Sequence, residues 1–141
     1  MPAALAALMA AACATEPPTQ PPIDLADTQW MVEDIDGQGV ADKVESTLSI
    51  DASGRASGIG GCNRYFGDVN HNDGAISFGP LGSTRMACPQ AVMDQEQRFF
   101  AALEASRTYR QDDLTGLLYF QDEAGTDVLR FRRMRKIEAA E

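Results

Sequence analysis

The sequence predicts an α+β domain: a curved antiparallel β-sheet or partial barrel wrapped around one α-helix. Three observations lead there. Short runs of alternating apolar and polar residues, separated by turn residues, recur through most of the chain after Ile23. Residues 89–106 are different, with no glycine, no internal proline, and apolar residues at helical spacing. That helical stretch sits between two groups of strands, an order that suits a sheet folded about a single helix.

Each element has its own signal. Trp30 and Val32 share one face of a first strand over residues 28–35, which Asp36-Gly37 ends. Leu48 and Ile50 alternate with Thr47 and Ser49 in a second strand. The turn Asp51-Ala52-Ser53-Gly54 folds it back on a third strand over residues 55–59. A fourth strand covers residues 64–69. The polar run Asn70-His71-Asn72-Asp73-Gly74 turns it into Ala75-Ile76-Ser77-Phe78. In the helix, Val92, Glu96, Phe99 and Leu103 recur on one side with Met93 and Phe100 beside them, and Pro89 suits its first turn. The last two strands, Leu117-Leu118-Tyr119-Phe120 and Val128-Leu129-Arg130-Phe131, flank the turn Asp122-Glu123-Ala124-Gly125.

The ends of the chain read differently. Residues 1–12 hold only apolar residues and one proline and then meet Cys13. Such a run is long enough for the core of a signal peptide and short of the roughly 20 residues that span a bilayer. Leu8-Met9-Ala10-Ala11-Ala12-Cys13 resembles a bacterial lipobox, in which the cysteine becomes the lipid-bearing N-terminus. An ordinary cleaved signal is the alternative. Residues 14–23 are polar and proline-rich, a composition that favours an extended tether. The domain then occupies residues 24–134, and residues 135–141 form a polar tail. One domain is what 141 residues accommodate.

A net charge of −9 argues against a nucleic-acid partner, because phosphate binding needs a concentrated basic surface. Arg130, Arg132, Arg133, Arg135 and Lys136 crowd the C-terminus. They read as a solvated strand face and tail, or as a contact with acidic lipid headgroups or a partner. Familiar catalytic patterns fail in turn. The single histidine, His71, lies in an expected turn with no nucleophile at hand. Residues 68–79 mimic a calcium loop, but Asp73 stands where its glycine belongs and Gly79 where its closing glutamate belongs. In Gly58-Ile59-Gly60-Gly61-Cys62-Asn63 the third glycine of a dinucleotide loop is Asn63, so these glycines suggest a tight bend or close backbone approach. Two thiolates and a distant histidine do not make a zinc site. No cofactor, metal or catalytic residue is expected.

Two motifs remain. Gly60-Gly61-Cys62-Asn63-Arg64-Tyr65-Phe66-Gly67, followed by Ser83-Thr84-Arg85-Met86-Ala87-Cys88-Pro89, resembles the signature of the META domain, or HslJ-like, family. Glu96 matches the acidic residue of that family's helix, and Trp30-Met31-Val32-Glu33-Asp34-Ile35-Asp36-Gly37 its opening strand. The resemblance spans about residues 24–133. It implies a compact antiparallel structure with one helix, an envelope setting often as a lipoprotein, an association with heat shock, and no established reaction. With Cys13 lipidated, Cys62 and Cys88 are expected to form a disulfide. Glu96, on an apolar helix face, is expected to be a buried structural carboxylate paired with Arg85 or Arg64, in a cluster with Asn63. Backbone N–H groups of residues 60–63 are the alternative partners. The functional expectation is a non-enzymatic, monomeric envelope lipoprotein that binds an envelope protein or small hydrophobic ligand. Ala14, in place of aspartate, directs it to the periplasmic face of the outer membrane. A secreted inhibitor or interaction module, with residues 69–74 as its contact, is the alternative, and a hydrolase comes last.

Overall fold

In the computed structural model, which describes residues 22–135, nine strands and one helix follow one another along the chain. Cys13, residues 1–21 and residues 136–141 lie outside the described residues, and with them the signal segment, nearly all of the tether, and Lys136. The elements are β1 (Thr28–Ile35), β2 (Thr47–Ile50), β3 (Arg55–Ile59), β4 (Arg64–Asn72), β5 (Ala75–Phe78), β6 (Gly82–Ser83), α1 (Gln90–Ala105), β7 (Thr108–Gln111), β8 (Leu118–Gln121) and β9 (Asp127–Arg133).

The sheet runs β3-β2-β1-β9-β8-β7-β5-β4, every pair antiparallel, and β3 pairs with β4 to shut the ring. Closure is therefore complete, where a curved sheet or partial barrel was expected. Closing the sheet removes its edges, the usual liability of an open one. The ninth strand, β6, lies outside the ring. β4 is long enough to pair with β3 on one side and, on the other, with β5 through Val69–Asn72 and with β6 through Tyr65 and Phe66.

Two departures from the simple strand pattern have local causes. Strict alternation would point Asp34 inward after Val32. A bulge opposite Arg130 absorbs one residue, so Ile35 is buried instead. At the β4–β5 hairpin, Asp73 and Gly74 both have positive φ, the two-residue turn whose twist matches the strands. Asn70, His71 and Asn72 consequently belong to β4, not to the turn expected there. β6 and β7 carry no apolar alternation, and only tertiary pairing reveals them.

Side chains fill the barrel. Trp30, Tyr65, Phe99, Phe120 and Phe131 are fully buried, with the Phe120 and Phe131 rings 4.8 Å apart. The helix adds Phe99, Ala102 and Leu103 to this core. Its polar bonds go to one set of strand ends: Arg98 donates to the Ile35 carbonyl, and Gln95 reaches Ala41, Val44 and Ser46. The entering chain stoppers the opposite end. Leu25 is completely buried, its carbonyl accepts from Thr28 Oγ1 at 2.6 Å, and that hydroxyl accepts from Trp30 Nε1 at 2.8 Å. Tyr109 ties in the segment through the Ile23 carbonyl at 2.9 Å.

Leu25 thus belongs to the core although it precedes the first strand. Leu25→Ala is expected to cost about 2–5 kcal/mol, whereas Leu114→Ala, at a residue 97% exposed, should stay within about 0.5 kcal/mol. Urea denaturation of both variants checks this, and equal midpoints would contradict the plug.

Candidate functional site

The two motifs meet at the helix-bearing end of the barrel. Residues 60–63 form the bend between β3 and β4, and residues 84–88 lead from β6 into α1. The bend lies against the helix because it carries no Cβ there. A side chain at Gly60 would meet the Phe100 ring at 2.7 Å, and one at Gly61 would meet the Val92 carbonyl at 3.1 Å. The glycine cluster is a close-approach device.

That approach brings backbone N–H groups to Glu96, which is only 4% exposed. Its Oε2 accepts from the Cys62 N–H at 2.9 Å and the Asn63 N–H at 2.6 Å, and its Oε1 accepts from Asn63 Nδ2 at 2.8 Å. Asn63, also buried, turns its carbonyl oxygen to the Met86 N–H at 2.6 Å and the Thr84 hydroxyl at 3.0 Å. One carboxylate and one amide therefore join three separate segments. The disulfide between Cys62 and Cys88, 26 residues apart in sequence, adds a covalent tie over the same span.

The expected charge cluster does not form. Glu96 is satisfied by N–H donors, the alternative partners, and neither Arg64 nor Arg85 reaches it: both are exposed. The reason is steric as well as electrostatic. With Gly60 and Gly61 allowing the bend to touch the helix, no space is left for a guanidinium, and charge-assisted N–H bonds meet the carboxylate's demand.

The pattern reading missed two members of this end. Gln95 is 1% exposed and knits the β1–β2 connection to α1: its oxygen accepts from Ala41 and its amide donates to the Val44 carbonyl and Ser46 Oγ. Ser46 Oγ in turn donates to the Gly60 carbonyl at 2.7 Å. A polar residue adjacent to Glu96 on an otherwise apolar face was the available clue. Tyr65, beneath the bend, donates to the Thr47 carbonyl at 2.6 Å, and burial pushes its phenol far up, so it acts as a fixed donor.

His71 stands elsewhere. It is half-buried on β4 and lines two shallow clefts, one with Asp24, Asp73 and Tyr109 and one with Ile76, Ser77 and Arg107. Burial raises the Tyr109 phenol, with Asp24 and Asp73 adding to the effect. Among the described residues no group of three or more His, Cys, Asp or Glu side chains is arranged to hold a metal ion.

Glu96→Gln would turn an amide donor toward one of its present donors. Its expected cost is about 2–4 kcal/mol. Glu33→Gln is expected to cost under about 1 kcal/mol, since Glu33 meets Arg130 and Arg132 only at 3.7 Å on the surface. Thermal melts of both proteins decide the matter, and equal melting temperatures would mean that the node contributes nothing. Separately, replacing both bridged cysteines with serine should cost about 3.5 kcal/mol on the loop-entropy estimate. A urea midpoint unmoved by that double change would contradict it.

The comparisons agree with this geometry. A solved NMR structure of a protein from Burkholderia xenovorans is 29% identical, with a TM-score of 0.66 over 91% of this chain and 100% of that one. A DUF4847 family protein from Bacteroides vulgatus shares the fold at 16% identity and a TM-score of 0.54, over 76% of this chain and 92% of that one. No curated protein matches the chain. The family model for the META domain matches residues 23–135, the whole barrel and its helix, so the chain belongs to the META domain family.

Proposed function

We propose that this META domain protein is a non-enzymatic lipoprotein of the bacterial envelope, anchored through Cys13, that binds another envelope protein and supports envelope integrity under stress. The disposition of the three cysteines carries the reading. Cys62 and Cys88 are joined to each other, and Cys13 is left at the end of a signal-like apolar run. Disulfides persist in oxidising compartments, which accords with export.

Two further features favour binding over chemistry and a protein over a small apolar ligand. The most buried carboxylate among the described residues, Glu96, is engaged by three N–H donors, an arrangement that fixes a bend and leaves no oxygen poised beside a nucleophile. The barrel interior is occupied by aromatic and aliphatic side chains, so a partner is more readily met on the outer surface.

Fractionation of cells expressing the full chain tests the anchor. Wild type should sediment with the outer membrane and Cys13→Ser should move to the soluble periplasmic fraction. Retention of the serine variant in the membrane would defeat the reading.

A further inference from the structure

The arginines that do not reach Glu96 lie on a surface with its own character. Arg64 projects from the outer face of β4, opposite Ile59 on β3 and beside Thr84, whose N–H donates to the Arg64 carbonyl. Phe66 follows on the same face, 53% exposed, with the Arg55 guanidinium 5.9 Å from its ring centroid. Met86 is 57% exposed and Ile59 40%. Three of the five large apolar residues most exposed on the described domain therefore belong to β3, β4 and the segment after β6. Arg55, Arg64 and Arg85 have no carboxylate within salt-bridge reach among the described residues, in a chain of net charge −9.

The backbone beside them is also available. β6 pairs with β4 on one side only, so its other edge has no strand partner among the described residues. This edge is held rigid from within. Asn63 Oδ1 accepts from the Met86 N–H and its Nδ2 donates to the Met86 carbonyl, while the disulfide pins Cys88 two residues on. A backbone already fixed at Met86 by a buried amide has little further freedom to lose on binding. Arginine, phenylalanine and methionine are the side chains that interfaces favour, and a free edge accepts an extended segment by strand addition.

We infer that the β6 edge and the adjoining face of Ile59, Arg64, Phe66 and Met86 dock an extended, acidic segment of a partner protein that carries an apolar anchor. Charge decides the partner's sign: three guanidinium groups without a carboxylate in salt-bridge reach among the described residues flank the apolar residues, and the acids beside them, Asp68 opposite Arg55 and Asp51, which accepts from the Arg55 N–H, both lie at the Arg55 end. This deepens the reading of the chain as an envelope binding module and rests on it.

Site-specific photo-crosslinking in intact cells, on the full-length protein, tests the surface. p-Benzoylphenylalanine is placed in turn at Phe66, at Met86 and, as a control, at Leu114 on the β7–β8 turn. Crosslinks from the first two positions to an acidic protein segment, identified by mass spectrometry and absent from the control, are the expected result. Arg64→Glu combined with Arg85→Glu should lower their yield about tenfold without changing the melting temperature, since both side chains are exposed. Crosslinks to lipid, to another copy of the chain or to a basic segment, yields equal to the control, or none at all would overturn the inference. The fractionation of Cys13→Ser is scored separately. A correctly anchored protein without these crosslinks loses the docking surface and keeps the envelope reading. Crosslinks from a Cys13→Ser protein that stays with the membrane keep the docking surface and lose the anchor at Cys13.

Discussion

The structure depends on the contact between Glu96 and the bend at residues 60–63. A carboxylate placed on the apolar face of the single helix has to be satisfied, and an unpaired one would be costly in the core. Three N–H donors supply that need, two of them from the backbone. Because backbone donors cannot reach across a side chain, the solution requires glycine at positions 60 and 61, where the helix comes to within contact of the chain. The same geometry excludes the arginines. One polar demand thus accounts for the glycines, for the asparagine and for the exposure of Arg64 and Arg85.

Asn63 extends the effect. Its amide has both a donor and an acceptor end, so it can serve Glu96 and the backbone of Met86 together. No carboxylate or cation could do both. The disulfide and this amide hold the same two segments by different physics: one restricts the unfolded chain, the other fixes local direction in the folded one. Their joint consequence is a rigid outer edge beside a rigid inner node. The interior polar network is therefore tied to the surface on which a partner is proposed to dock.

At the far end a different economy operates. There the chain entering β1 contributes Leu25 to the core and passes its polar groups along the relay from the Leu25 carbonyl through Thr28 to Trp30. The helix serves one barrel mouth and the entering segment the other. The buried node around Glu96 and the plug around Leu25 are consequently at opposite mouths of the barrel.

Much of this was legible in the residues themselves. Alternation located β1 to β5 and β8 to β9, helical spacing located α1, and the apolar face of that helix marked Glu96 as a buried carboxylate in need of partners. Spacing could not say which partners, because cations and N–H donors meet the same electrostatic demand and differ only in the room they require. It also could not reveal β6 and β7, whose few residues lack an apolar period and are strands only because β4 and β8 lie beside them. Nor could it show closure of the barrel, which rests on the β3–β4 pairing, or the bulge that turns Ile35 inward. The sequence by itself determined α1 and the strands other than β6 and β7, the bridged cysteines and the buried charge of Glu96, because these follow from local periodicity and from residue chemistry. Only the tertiary structure decided what that charge binds and which arginines are left outside, because both depend on how closely two backbones approach.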